Sequence, residues 1–100
     1  MEPRSFEQVC RDKALEMAEL VIRKQRDYGH DNINAFGEFG ILVRVNDKVA
    51  RLRNLIGKDK TSNNESLDDT WRDIVGYGLV ALMFRNGDFN LELEKDNVTT

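Results

Sequence analysis

The sequence predicts an all-α protein: a small antiparallel bundle of three main helices, completed by oligomerisation. Three observations carry this expectation. Apolar residues recur at helical spacings along three long stretches. Polar segments rich in glycine and asparagine separate those stretches, and short connections favour antiparallel neighbours. The chain has 100 residues, enough for one domain with a thin core. A ligand pocket closed by subunit association would leave that core its apolar residues.

The first helix is expected from Ser5 to about Arg26. Ser5 followed by Gln8 is a capping-box pattern, and Phe6, Cys10, Ala14, Met17 and Val21 step down one face. The segment "DYGHDNINAFGEFG" then breaks the helix and reads as a structured loop. The second helix is expected from about Ile41 to Ile56, ended by Gly57. Leu42, Val45, Val49, Leu52 and Ile56 give it a heptad-like stripe. After the polar loop "GKDKTSNNES", the third helix starts near Asn64 to Ser66 and runs to about Arg85. Its second half, "LVALMF", is apolar nearly all round and should be buried. Residues 1–87 make a single helical domain on this reading. Residues 88–100 form an arm: Phe89, Leu91 and Leu93 alternate as in a short edge strand or an extension onto another subunit, and the last six residues read as disordered.

Composition excludes several function classes. The chain carries 18 acids and 15 bases, a net charge of −3, which gives no global pull toward nucleic acid or membrane. No direct DNA binding is expected. The longest apolar run is far too short to span a bilayer, and the polar start "MEPRSFEQ" does not resemble a secretory leader. The lone Cys10 cannot form an intramolecular disulfide. A cytoplasmic location follows. There is no phosphate-loop motif, no zinc-type Cys/His spacing and no GxGxxG.

The candidate chemistry lies on charged flanks of the second and third helices. Arg44, Asp47, Lys48 and Arg51 share one flank of the second. They read either as a solvated face, with Asp47 paired to the arginines, or as an anion site in which Arg forks and a Lys meet phosphate. The third helix places Glu65, Asp69, Arg72 and Asp73 on one side. Acids in a first turn are stabilised by the helix dipole, which accounts for Glu65 and Asp69. Asp73 lies deeper, with Thr70, Gly76, Tyr77 and Val80 on its face, so it should be half buried and in need of a partner. That partner is either an internal salt bridge to the second helix or Mg²⁺ shared with Asp69. In the glycine-rich loop, Tyr28 could stack on a base while Asn32 and Asn34 read its edge; alternatively Tyr28 caps the bundle and the asparagines make turns. His30 reads as a surface residue.

Together the blocks Tyr28-Gly29, Phe36-Gly37, Arg44, "DKVARLRNL" and "NESLDDTWRDIVGY" resemble the phage and prophage family called nucleotide-modification-associated domain 1, over roughly Gln25 to Leu82. A more distant similarity is to the all-alpha, MazG-like NTP pyrophosphohydrolases. Those hold Mg²⁺ over a nucleoside triphosphate with acids on two antiparallel helices. On that resemblance "TWRD" supplies Asp73, with Asp69 beside Thr70 where a glutamate is expected. Arg44 and Arg51 stand beside Asp47 where further acids would be.

Two functions follow as expectations. One is a nucleotide-binding protein in a bacterial host cell, holding a nucleotide or cyclic nucleotide through Arg44, Lys48 and Arg51, with Tyr28, Asn32 and Asn34 at base or sugar. In a phage setting it would sequester the nucleotide, an anti-defence role, or serve nucleotide metabolism. The other is a Mg²⁺-dependent pyrophosphohydrolase or phosphoryl-transfer enzyme, with Asp69 and Asp73 catalytic and Glu65, Asp69, Asp73 and Asp47 placing the metal. A plain interaction module is the third, less favoured reading.

Overall fold

The computed structural model describes residues 4–57 and 64–95, and of residues 64 and 65 the backbone alone. Four helices follow in order: α1 (Phe6–Tyr28), α2 (Asp31–Asn34), α3 (Gly37–Gly57) and α4 (Asn64–Arg85). Among the described residues there is no strand. The all-α expectation holds, with three long helices packed together.

α1 starts where its capping residues dictate. The Ser5 hydroxyl accepts from the Gln8 amide, and the Gln8 side chain accepts from the Ser5 amide. Two otherwise orphaned donors are satisfied this way. The helix runs two residues beyond the expected Arg26 and stops at Gly29, whose φ of 72° suits glycine.

The glycine-rich segment is more ordered than a loop. Asp31–Asn34 form one helical turn that buries Ile33. Gly37, at φ 63°, then turns the chain directly into α3, which begins four residues earlier than the expected Ile41. Gly40 makes this tight entry possible: a Cβ there would lie 2.6 Å from the Phe36 Cβ. Arg85 grips Glu38 with hydrogen bonds of 2.9 and 3.0 Å to its two carboxylate oxygens, tying the start of α3 to the end of α4.

α4 is the central element. α3 and α1 each pack against it and hardly touch one another. α1 comes close at Gly76, where a Cβ would meet Val21 at 3.3 Å. The main core cluster gathers Ile33, Ile41, Val80 and Phe89.

Phe89 decides the fate of the C-terminal arm. The arm was expected to be an edge strand or an extension onto another subunit. Among the described residues no strand forms there, and Phe89 packs back into the chain's own core. Phe89 is only 5% exposed. Asn90 accepts from the Asn34 side chain at 2.7 Å, and the Glu94 carbonyl accepts from Arg26 at 2.9 Å. The expected disorder of the last six residues falls almost wholly outside the described residues. No helix of the described residues is long and apolar enough to cross a membrane.

Candidate functional site

Because α1 and α3 flank α4 without closing on each other, a gap remains between them. It forms a cavity of about 520 Å³, within the usual range for small-molecule sites. α1 contributes Lys24, Gln25 and Tyr28; α3 contributes Arg44 and Lys48; α4 contributes Arg72, Asp73 and Tyr77; Asn32 of α2 closes one end. Leu20, Val21, Ile33 and Val80 supply apolar wall.

The charge of this lining is the reverse of the chain's. Four basic side chains and one acid face the cavity, a local excess of three positive charges in a chain of net −3. The acid sits between two of the bases. Lys24 Nζ donates to Asp73 Oδ1 at 2.9 Å, and Lys48 Nζ lies 3.0 Å from Asp73 Oδ2. The Asp73 side chain is 22% exposed, half buried as its position on α4 predicts. Burial alone would raise its pKa. The hydrogen bonds and charges of Lys24 and Lys48 outweigh burial and hold the carboxyl below its ordinary value. Of the two partners considered for Asp73, the salt bridge to the second long helix is present. Lys24, on α1, is a further partner.

Polar groups around the charges add recognition capacity. Arg44 reaches the Asn32 carbonyl at 3.4 Å. Asn32 Oδ1 is buried with no hydrogen-bond partner among the described residues, and an unpaired buried acceptor costs about 1–3 kcal/mol. A ligand N–H or hydroxyl group is the sort of partner it lacks. The Gln25 side-chain amide is 2.6 Å from His30 Nδ1. His30 in turn packs edge-on against Phe89, with ring centroids 5.3 Å apart. His30, which read as a surface residue, is partly buried and braces the cavity wall.

The charged flank of α3 is divided by this geometry. Arg44 and Lys48 line the cavity. Arg51 does not; it donates to the Ser66 hydroxyl at 2.6 Å. Asp47 is exposed and forms no ion pair among the described residues. Tyr28 stands at the rim, 68% exposed, while Asn34 is held by Asn90 outside the cavity. Asp69 is exposed and pairs with Arg72 at 3.1 Å. The Glu65 side chain lies outside the described residues. Asp69, Asp73 and Glu16 line a second cavity of about 470 Å³ that shares Lys24 as a wall, and Glu16 faces Arg72 at 3.8 Å. Among the described residues no three acid, histidine or cysteine side chains converge as metal ligands. As arranged, Asp69 pairs with Arg72, and Asp73 with Lys24 and Lys48.

Thr70 explains part of this. It is 2% exposed, and its hydroxyl donates to the Ser66 carbonyl at 2.7 Å. An ionised glutamate at that position would be buried without a counter-charge, which is costly. The missed site residues are Lys24, Gln25 and Arg72. Lys24 and Gln25 lie at the end of α1, in a charged run whose spacing singles out neither of them. Arg72 was noted on its helix, but nothing in its spacing pointed it into a cavity.

Comparison with known protein families sharpens the picture. The family described as nucleotide modification associated domain 1 matches residues 24–84, more than half of the chain. The chain belongs to that family. No curated protein and no solved structure matches. The nucleotide modification associated domain runs from Lys24, the first cavity base, to Phe84 near the end of α4. It therefore takes in every charged residue of the cavity.

Proposed function

We propose that the protein binds a nucleotide in the cavity between α1, α3 and α4, holding phosphate with Lys24, Arg44, Lys48 and Arg72. The observation that carries this reading is the concentrated positive charge of a cavity in an otherwise acidic chain. Charge-assisted hydrogen bonds from Lys and Arg to phosphate contribute about 1.5–3 kcal/mol each. Asp73 keeps the two lysines in place in the free protein, as a stand-in for the anion. Base or sugar would lie against Tyr28 and Tyr77, with Asn32 Oδ1 accepting from it. In a phage setting such binding would sequester a nucleotide or cyclic nucleotide, or serve nucleotide metabolism, in the host cytoplasm. Membership of the nucleotide modification associated domain 1 family supports a nucleotide role without specifying which.

One observation favours the Mg²⁺-dependent hydrolase as a second reading: Glu16, Asp69 and Asp73 line the second cavity. On that reading the two α4 acids carry metal, Glu65 and Asp47 would need to swing in, and a bound triphosphate would supply the remaining oxygen ligands. Calorimetry against a panel of nucleoside mono-, di- and triphosphates and cyclic nucleotides, each in EDTA and in Mg²⁺, separates the two. Binding in EDTA supports the anion site. Binding only with Mg²⁺ and a triphosphate supports the hydrolase. No binding under either condition ends both.

A further inference from the structure

α3 is apolar on two faces, and only one is used within the chain. Ile41, Leu52 and Leu55 are buried. Phe39, Leu42, Val43, Val49 and Ile56 are exposed, four of them between 45% and 73% and Val49 at 38%. At about 100° per residue these five fall on a side turned away from the cavity-lining Arg44 and Lys48. The chain as described is also open, with a radius of gyration of 16.0 Å, where about 13 Å is typical for this length.

The pattern on this face identifies its occupant. Leu42, Val49 and Ile56 repeat every seven residues, and so do Phe39, Asn46 and Arg53. A seven-residue seam with one central polar Asn fits another helix, and the Asn fixes register. The charges permit self-pairing: Arg53, exposed near one end of the seam, comes against Glu38 of an antiparallel copy, whose carboxylate it would share with Arg85. The exposed apolar residues of α1 form no such seam: Phe6 and Val9 lie round the helix from Leu15 and Ile22.

We infer that the protein forms a two-fold symmetric dimer through α3, antiparallel and crossing near Asn46, with Val43 of one protomer facing Val49 of the other. The interface is isologous and closed, as cyclic dimers are. It covers the back of the α3–α4 hairpin and leaves the cavity open in each protomer. This inference stands on the exposed seam alone and is independent of the nucleotide reading.

Sedimentation equilibrium on the full chain tests it. The wild type should have twice the chain mass. Leu42→Glu and Val49→Glu place an acid in the seam without touching the core, and each should weaken dimerisation roughly tenfold or more, the equivalent of 1.4 kcal/mol. Arg53→Glu should weaken it less, by setting like charges together. Leu15→Glu on α1 should leave it unchanged, with circular dichroism confirming that every variant is helical. A monomeric wild type overturns the proposal. So does a dimer that survives both seam substitutions, or one that Leu15→Glu dissociates.

Discussion

α3 carries two charged pairs, one turn apart, that have different fates. Arg44 and Lys48 face the cavity. Asp47 and Arg51 sit beside them on the same flank but look out, Asp47 into solvent and Arg51 to the Ser66 hydroxyl. At about 100° per residue Arg44 and Lys48 lie roughly 60° round the helix from Asp47 and Arg51, toward the buried Ile41 and Leu52. On that side α1 and α4 face them across the cavity, whereas Arg51 meets Ser66 at the start of α4 and Asp47 meets solvent. A charged stripe becomes a site only where a second element converts it from a convex surface into one wall of a concave one.

The comparison can be broken most decisively at Lys48. Lys48→Met removes one cavity base and leaves Asp73 with Lys24 alone. Nucleotide affinity should fall about 10- to 100-fold, the loss of one charge-assisted hydrogen bond of about 1.5–3 kcal/mol. Calorimetry reads this directly, and an unchanged affinity would move the site elsewhere.

The next effect is structural. Gly40→Ala puts a methyl group 2.6 Å from the Phe36 Cβ, where neither backbone can yield easily. Overpacking of this kind costs about 1–3 kcal/mol, so thermal denaturation should shift down by several degrees. If the melting temperature rose, as it would for an unobstructed helical Gly→Ala, the tight entry into α3 would be wrong.

Asp73 gives a smaller, pH-dependent signal. Its folded-state pKa lies below the unfolded value. Ionised Asp73 therefore stabilises the fold above the unfolded carboxylate value of about 3.9, and the contribution is lost as pH falls through the folded value. At neutral pH, Asp73→Asn should cost about 1–2 kcal/mol, discounted because Lys24 is half exposed. Chemical denaturation should show the gap between wild type and variant closing below about pH 4. A gap that persists at acid pH would mean that Asp73 is not held by the lysines.

The smallest effects belong to the outward pair. Asp47→Ala should change stability by less than about 0.5 kcal/mol and leave affinity untouched. Arg51→Ala should lose only its Ser66 contact, with no effect on affinity. A fall in affinity from either would erase the distinction between the two halves of the flank.

Much of the fold was legible in the sequence because amphipathic spacing and capping are local. Ser5 and Gln8 fixed the start of α1, and the apolar stripes gave the long helices. The missed turn of helix at Asp31–Asn34 depends on Ile33 reaching a core built by α3 and α4, which local polarity concealed. In the arm, the alternation of Phe89, Leu91 and Leu93 looks like a strand, yet the described residues form none and Phe89 is the one buried anchor among them. At the site, Asp73 was legible because a carboxylate two turns into an amphipathic helix must find a partner. Lys24 was not, since its role exists only once α1 crosses α4.

The central claim is that Asp73 is the counter-ion of an anion site and not a ligand for metal. Titrating wild type and Asp73→Asn with the same nucleotide in EDTA tests it most directly. The account predicts that the variant binds at least as tightly as wild type, because the lysines are freed for phosphate. An abolished affinity in Asp73→Asn, restored in neither EDTA nor Mg²⁺, would contradict it.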